Sequence, residues 1–297
     1  MTKRQQLRVR DPFILPFEGF YYMYGTREER TVFCYRSRDL EHWEVQGDVF
    51  TIPEDSWGAR DVWASEVHAY RSRFYLFVSL LGKNGLRGTQ VAVADRPFGP
   101  FVPLCNRPLT PARQSCIDGT LFVEHGTPYI VYSHDWPDNY VKEKNAYVGE
   151  ICGVQVSEDL REIVGEPFCL FASDEAPLSR NTPHRVSRDG QSFVRYGSDG
   201  PFVQRLKDGR LLLTWSPYLQ DRYVVLYAIS ESGSIRGPWR HGERPLFDGD
   251  GGHAMFFRDL SGTPLMCLHA PEKPPMERAR LFRVAECAEG LSILSEI

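Results

Sequence analysis

A fivefold internal repeat constrains the fold of this chain more than any other feature of its sequence. Each copy contains a short run of aromatic or aliphatic residues that follows a turn and ends in a small polar residue or His. The five runs are FYYMYGT at 20–26, FYLFVS at 74–79, PYIVYS at 128–133, LLLTWS at 211–216 and PLMCLH at 264–269. Measured between Tyr22, Tyr75, Tyr129, Leu212 and Leu265, the spacings are 53, 54, 83 and 53 residues. One unit therefore recurs at a nearly constant interval, with about thirty extra residues in one place.

Each run is predicted to be one strand of a hairpin. Upstream of each turn lies a second strand-like segment, in order PFILPF, EVHAY, TLFVE, PFVQR and AMFFR. Two such segments joined by a tight turn form a β-hairpin, and two more strand-like segments follow downstream. Four strands repeated every 40–55 residues or so are typical of a propeller blade. The sequence predicts an all-β fold, a five-bladed β-propeller with four-stranded antiparallel blades around a central funnel, in a single domain over 1–297. A sandwich or barrel with similar hairpins is the alternative, and the even spacing argues against it.

The long interval predicts an insertion between the third and fourth blades. It covers about 172–197 and is rich in Pro, Ser, Asp and Arg, which predicts a loop. Long loops often carry function, so this one is either a flap over the mouth of the funnel or a solvated loop.

Composition and charge exclude several classes of protein. With 42% hydrophobic and 25% charged residues, the chain has the composition of an ordinary globular protein. Its net charge of −4 provides no basic excess to neutralise phosphates, so nucleic acid is not an expected partner. No window approaches the roughly 18 consecutive apolar residues of a membrane span, and the basic N-terminus lacks the apolar stretch of a signal peptide. We expect no membrane partner and a cytoplasmic location, or a secreted or periplasmic one if a leader has been removed.

Acidic residues recur just before the hairpins. The segments RDPF, CIDGTLF and SDGPF contain Asp11, Asp118 and Asp199. Because the first strand of every blade lines the channel, these carboxyl groups are predicted to converge. Hydrolysis of a glycosidic bond requires two carboxyl groups in different environments, one ionised and one protonated. Turn-capping Asp residues and cation ligands are the alternatives.

In this order and spacing, the segments RDPFIL, WASEVH, CIDGTLF, SDGPF and GDGGHAMFF resemble glycoside hydrolase family 43. These are five-bladed propeller glycosidases that act on arabinose- and xylose-containing polymers, and the resemblance covers roughly 8–285. It implies an inverting mechanism in which Asp11 is the general base and Asp118 tunes and orients the acid. The family usually has Glu-Gly-Pro in the fourth blade, with Glu as the general acid. Asp199 stands in its place, and its carboxyl group reaches about 1.5 Å less far.

The resemblance also implies substrate-binding residues. It places Trp63 beside the sugar pocket, where an aromatic face can pack on a sugar, although a Trp is often simply part of the core. Further candidates for the rim are Trp57, Trp136, Phe13 and Phe202. His253 is expected at the centre of the channel, in contact with substrate or with a structural calcium ion, although calcium prefers oxygen ligands. No cofactor is expected for the chemistry.

These observations predict an inverting glycoside hydrolase, an exo-acting α-L-arabinofuranosidase on plant-derived oligosaccharides. β-Xylosidase, galactofuranosidase and endo-arabinanase activities are alternatives within the family. A carbohydrate-binding propeller with weak catalysis is a further alternative, because Asp199 replaces Glu. Inversion predicts that the carboxyl groups of Asp11 and Asp199 lie about 6.5–9.5 Å apart, which leaves room for a water molecule.

Overall fold

The computed structural model of the chain is built almost entirely from β-strands and describes residues 1–135 and 138–297. Five sheets follow one another along the sequence. The first contains β1 (Thr2–Lys3), β2 (Phe13–Phe17), β3 (Phe20–Glu28), β4 (Thr31–Ser37) and β5 (His42–Thr51). The second contains β6 (Gly58–Tyr70), β7 (Arg73–Gly82), β8 (Arg87–Ala94) and β9 (Val102–Pro103). The third contains β10 (Cys116–Glu124), β11 (Thr127–His134), β14 (Glu150–Gln155) and β15 (Phe168–Ala172).

The fourth and fifth sheets repeat the same arrangement. The fourth contains β18 (Asp199–Arg205), β19 (Leu211–Ser216), β22 (Leu226–Ser230) and β23 (Trp239–His241). The fifth contains β24 (Gly252–Arg258), β25 (Pro264–Ala270), β26 (Arg278–Cys287) and β27 (Gly290–Glu296). In every sheet four antiparallel strands lie side by side in chain order, and β1 adds a fifth strand to the outer edge of the first sheet. The predicted all-β fold of four-stranded antiparallel sheets is confirmed.

The first strand of each four-stranded unit contacts the first strands of the two neighbouring units. Contacts join β2 to β6, β6 to β10, β10 to β18, β18 to β24, and β24 back to β2. The five inner strands therefore form a closed ring.

Apolar side chains fill the space between neighbouring sheets. Successive residues of a strand point to opposite faces. Leu76 accordingly packs with the first sheet, whereas the next residue, Phe77, packs with Ile130 of the third. In the same way Leu212 packs toward the fifth sheet and Leu213 toward the third. The middle strands are hydrophobic on both faces because each sheet lies between two others.

The expectation of a loop over 172–197 is wrong. This segment contains a 3₁₀ turn (Ser173–Glu175), the helix α1 (Pro177–Asn181) and a hairpin of β16 (His184–Arg188) and β17 (Gln191–Tyr196). The hairpin turns at Asp189 and Gly190, which both have positive φ, as a type I′ hairpin turn requires. The segment is polar in composition because much of the hairpin is exposed to solvent.

The hairpin belongs to an additional sheet. In that sheet β17 pairs in parallel with β13 (Ala146–Val148), which also pairs with β12 (Tyr140–Val141). The remaining elements are a two-stranded sheet of β20 (Tyr218–Leu219) and β21 (Arg222–Tyr223), and 3₁₀ turns at Arg4–Gln6 and Lys142–Lys144. Across both described ranges, every helix is too short to cross a membrane.

Candidate active site

Bulges near the start of the inner strands shape the centre of the ring. Pairing is interrupted between Ile117 and Thr120 in β10, and at matching places in β6, β18 and β24. Each interruption contains a residue with positive φ, and Asp11 has the same conformation just before β2. The five residues are Asp11, Ala64, Asp118, Gly200 and His253. A bulge re-aims a side chain, and of these residues Asp11, Asp118 and His253 line the central cavity.

The residues that end three of the repeated runs hold the positive-φ residues in place. The Ser79 hydroxyl accepts a hydrogen bond from the backbone N–H of Asp118 at 2.7 Å, and the Ser216 hydroxyl accepts one from His253 at 2.8 Å. His269 Nδ1 lies 3.3 Å from the backbone nitrogen of Asp11. In these three cases the last residue of one run supports the positive-φ residue of the next sheet around the ring. The repeated sequence pattern therefore has a direct structural role in the site.

The register places Asp199 one residue before the position of Asp11 and Asp118. Asp199 pairs with Ser216 as Ile117 pairs with Ser133, so Gly200 is the counterpart of Asp118. The three acids all precede hairpins as predicted, but Asp199 does so from a different position of its strand. Gly200 has φ +55°, and a side chain there would come within 2.8 Å of the His253 ring. The Gly200 N–H donates to Asp118 Oδ2 at 2.9 Å.

The three predicted acids line one cavity of about 1150 Å³. Trp63 and His253 line the same cavity. The ring thus brings together side chains from all five sheets, although they are far apart in sequence.

Asp11 is surrounded by nitrogen atoms. Its Oδ1 lies 3.1 Å from His269 Nδ1 and 3.3 Å from His253 Nδ1, and its Oδ2 lies 3.7 Å from Arg10 Nε. When His269 Nδ1 carries a proton it donates to this carboxylate, and when it does not it accepts from the Asp11 backbone N–H. Burial opposes ionisation, but His253, Arg10 and His269 together hold the pKa of Asp11 well below its usual range. Asp11 is therefore ionised at neutral pH.

Asp118 has a different environment from Asp11. Its Oδ1 accepts from the Ser79 hydroxyl at 3.4 Å, and its Oδ2 lies 3.9 Å from His253 Nδ1. Burial raises the pKa of Asp118, and the negative charge of Asp11 adds to that effect. His253 thus stands between the two carboxyl groups.

Asp199 is shifted furthest toward the protonated form. Burial raises its pKa well above the usual value, with Asp135 and Asp118 adding to the shift and Arg195 opposing it. Arg195 Nη2 lies 3.6 Å from Asp199 Oδ1. The cavity therefore contains one carboxyl group that favours ionisation and another that favours retention of its proton.

Trp63 is well exposed for an aromatic residue at the wall of a cavity, with 44% of its surface accessible. The Arg87 guanidinium lies over the indole ring, 3.3 Å from its centroid, and Arg87 is paired with Asp61 at 3.0 Å. Arg87 thus covers part of one face of the ring. The accessible remainder of Trp63 is available for apolar contact with a ligand.

The other aromatic candidates lie elsewhere. Phe13 is buried between the rings of His68 and Phe202, at 5.1 and 6.5 Å, so it packs inside the ring of strands rather than at the cavity wall. Trp57 donates its indole N–H to Gln90 at 2.6 Å. Trp136 lies outside the described residues.

Comparison with known proteins identifies the family. The sequence model of Glycosyl hydrolases family 43 matches residues 5–285. The chain belongs to this family. A solved endo-arabinase from Bacteroides thetaiotaomicron is 33% identical, with a TM-score of 0.86 over 97% of this chain and 98% of that one. A xylosidase/arabinosidase from Bacteroides ovatus is 23% identical over 236 residues, which are 68% of this chain and 71% of the relative.

A third comparison concerns the fold alone. The structure of an α-L-arabinofuranosidase from Lactobacillus brevis aligns with a TM-score of 0.71, at 17% identity, over 98% of this chain and 97% of that one. The family assignment makes the chain a glycoside hydrolase.

The described side chains of this family-43 enzyme form no cage for the calcium ion that the resemblance implies beside His253, and that ion stays a prediction. His253 directs Nδ1 toward Asp11 and Asp118, which leaves one imidazole nitrogen, whereas calcium is bound by six to eight oxygen atoms or so. Within 1–135 and 138–297, no group of three or more His, Cys, Asp or Glu side chains is arranged to hold a metal ion. We assign no step to a metal.

Several residues at the site of this glycoside hydrolase are not predicted from the sequence. Arg10, Asp135 and Arg195 line the cavity, and His269 and Glu272 lie behind Asp11. One signal is present in the sequence for His269, because it replaces the Ser or Thr that ends the other four runs. Asp135 and Arg195 lie outside the repeated runs, so the repeat gives no signal for them.

Proposed function

We propose that the five sheets are the blades of a single-domain five-bladed β-propeller that hydrolyses glycosidic bonds with inversion at the anomeric carbon. The favoured substrate is a terminal α-L-arabinofuranosyl unit of an oligosaccharide. The observation that carries the proposal is that Asp11 and Asp199 line one cavity in opposed environments. Two imidazoles and a guanidinium lie against Asp11 and lower its pKa, whereas burial and the neighbouring Asp135 and Asp118 raise the pKa of Asp199.

In the proposed reaction, Asp11 and Asp199 act on opposite sides of the anomeric carbon. Ionised Asp11 takes a proton from a water molecule, whose oxygen forms a bond to the anomeric carbon. Protonated Asp199 gives its proton to the glycosidic oxygen as the bond from that oxygen to the anomeric carbon breaks. The products are a free sugar of inverted configuration and the leaving alcohol, with the two carboxyl groups left in exchanged protonation states. Proton exchange with solvent then restores the enzyme.

The neighbouring residues keep Asp11 ionised and Asp199 protonated before the reaction. His253 lies against both Asp11 and Asp118, and Asp118 accepts from the N–H of Gly200, which directly follows Asp199. Asp118 thus fixes the backbone that carries the acid, and its negative charge favours retention of the Asp199 proton. The accessible surface of Trp63 offers the sugar an apolar contact.

The names of the relatives support arabinose- or xylose-containing substrates. The additional sheet contributes Arg195 to the cavity wall. A wall beside Asp199 favours a closed pocket that takes the end of an oligosaccharide, and therefore exo-action. Endo-action on arabinan is the second candidate, because the 33% identical structure is an endo-arabinase. Release of arabinose alone from linear arabinan supports exo-action, whereas early release of longer oligosaccharides supports endo-action.

Turnover of aryl glycosides tests the proposal. We expect hydrolysis of an aryl α-L-arabinofuranoside to exceed that of the matching β-xyloside. Asp11→Asn should lower both the arabinoside and the oligosaccharide rates by at least about 100-fold, since it removes the base. Asp199→Ala should lower the oligosaccharide rate by a similar factor but affect an activated nitrophenyl substrate much less, because that leaving group needs little protonation.

Equal loss on both substrates in Asp199→Ala would count against an acid role for Asp199. Sugar binding without turnover by the wild type would instead favour a carbohydrate-binding propeller.

A further inference from the structure

The additional sheet contributes a charged residue to the environment of Asp199. Arg195 lies on β17, one residue from its end, and its Nη2 is 2.9 Å from Asp135 Oδ2 and 3.6 Å from Asp199 Oδ1. All three side chains line the cavity. An insertion outside the repeated sheets therefore reaches one of the central carboxyl groups.

Asp135 holds Arg195 in place. It is fully buried, and it also accepts from the backbone N–H of Ser198 at 3.0 Å and from Asn139 Nδ2 at 3.2 Å. Ser198 directly precedes Asp199. Asp135 thus fixes both the guanidinium and the backbone next to the acid.

We propose that Arg195 is a positioning residue for the general acid, holding the Asp199 carboxyl group in place and stabilising the carboxylate formed when its proton passes to the leaving oxygen. This inference rests on the proposed function. Asp135 neutralises Arg195 before the reaction, so Arg195 does not force Asp199 to ionise in the resting enzyme. As the O–H bond of Asp199 breaks, negative charge develops 3.6 Å from the guanidinium, where a fixed cation stabilises it.

The pH dependence of this step depends on every charged or titratable group that faces Asp199. These groups are Arg195, Asp135, Asp118, Arg10, Tyr218 and Tyr223. Arg195 and Arg10 favour the carboxylate, whereas Asp135 and Asp118 oppose it. Removal of Arg195 and removal of the Asp135 charge should therefore have opposite effects.

The test compares the pH profile of kcat/KM in three variants and a control. Activity falls on the alkaline side when Asp199 loses its proton. In Arg195→Gln we expect this fall to move to higher pH by about one unit, because the carboxylate loses its cation. In Asp135→Asn we expect it to move to lower pH, and in Arg195→Lys to remain near the wild-type position.

The same variants are compared on two leaving groups. Arg195→Gln should lower the rate on an arabino-oligosaccharide by about tenfold or more and change the rate on a nitrophenyl arabinoside by less than about threefold, since only the first needs a strong acid. Arg185→Gln is the control, because Arg185 is an exposed residue of the same hairpin. It should match the wild type in both measurements.

The inference would be overturned if, in Arg195→Gln, the alkaline fall of kcat/KM did not move and both substrates lost rate equally. It would also be overturned if Arg185→Gln showed the same pH shift and the same selective loss as Arg195→Gln. If thermal melting shows that Arg195→Gln does not fold, the other two variants decide the matter. The alkaline fall of kcat/KM should then lie at lower pH in Asp135→Asn and at the wild-type pH in Arg195→Lys, and the same position in both variants would refute the inference. Failure of the proposed function is a separate result, because the wild type would then turn over neither substrate.

Discussion

At the scale of the residue, two aspartate side chains of one cavity have pKa values shifted in opposite directions. Asp11 faces two imidazoles and a guanidinium, whereas Asp199 faces two carboxyl groups and an arginine that Asp135 already neutralises. Asp11 and Asp199 can be predicted from the sequence as candidate acids because each precedes a hairpin. The resemblance also implies that Asp11 is the base and Asp199 the acid. The residues that set their ionisation could not be predicted, because Arg195 and His269 reach them only through the fold.

This difference predicts opposite effects of two isosteric substitutions on stability. The folded pKa of Asp199 is raised, so the carboxyl group lowers stability as pH rises through and above its unfolded pKa of about 3.9. Asp199→Asn should therefore stabilise the protein at pH 7 by about 1 kcal/mol, a modest value because a fifth of the side chain is exposed. The folded pKa of Asp11 is lowered, so its charge adds stability that is present at pH 7 and lost on acidification. Asp11→Asn should destabilise the protein at pH 7 by about 1 kcal/mol or more.

Urea unfolding at pH 7 and near pH 4 measures both effects. The gain in Asp199→Asn should shrink at the lower pH. Changes of the same sign in the two variants at pH 7 would show that the environments of the two carboxyl groups are not opposed.

At the scale of the element, each repeated run joins two neighbouring sheets. The pattern of a hydrophobic run ending in Ser, Thr or His can be read from the sequence, but the hydrogen bond that its last residue makes to the next sheet cannot. Ser79 bonds to Asp118, which is 39 residues away and in the next sheet. The inserted hairpin shows a second limit, because the Asp189-Gly190 turn was a hairpin signal hidden in a polar segment.

The role of these runs predicts that two buried serines differ in importance for catalysis. Ser79 and Ser230 are both fully buried, and the Ser230 hydroxyl donates to the carbonyl of Ser234 at 2.7 Å, away from the central bulges. Replacement of either by Ala should cost about 1–3 kcal/mol of stability, because a buried polar group loses its partner. Only Ser79→Ala should also lower kcat, by about tenfold, since it releases the backbone and carboxyl group of Asp118. Steady-state kinetics below the melting temperature measure this, and an unchanged kcat in Ser79→Ala would show that the bulge does not depend on its serine.

At the scale of the whole molecule, the closed ring of inner strands makes the site. The N-terminal segment runs beside the fifth sheet before it enters β2. There the backbone of Arg8 forms an antiparallel β-bridge with Arg278, and the Val9 N–H donates to the carbonyl of Glu277. The even spacing of the repeat predicted the sheets and the convergence of the acids. The additional sheet, which brings Arg195 and Asp135 to Asp199, has no repeat and required the structure.

The proposed geometry predicts the stereochemistry of the reaction, and proton NMR of the first turnovers of an aryl α-L-arabinofuranoside measures it most directly. With Asp11 activating water on one side and Asp199 protonating the leaving oxygen on the other, β-L-arabinofuranose should appear first and equilibrate later with the α anomer. First appearance of the α anomer would mean that a carboxylate attacks the sugar directly, and would contradict the account of the site given above.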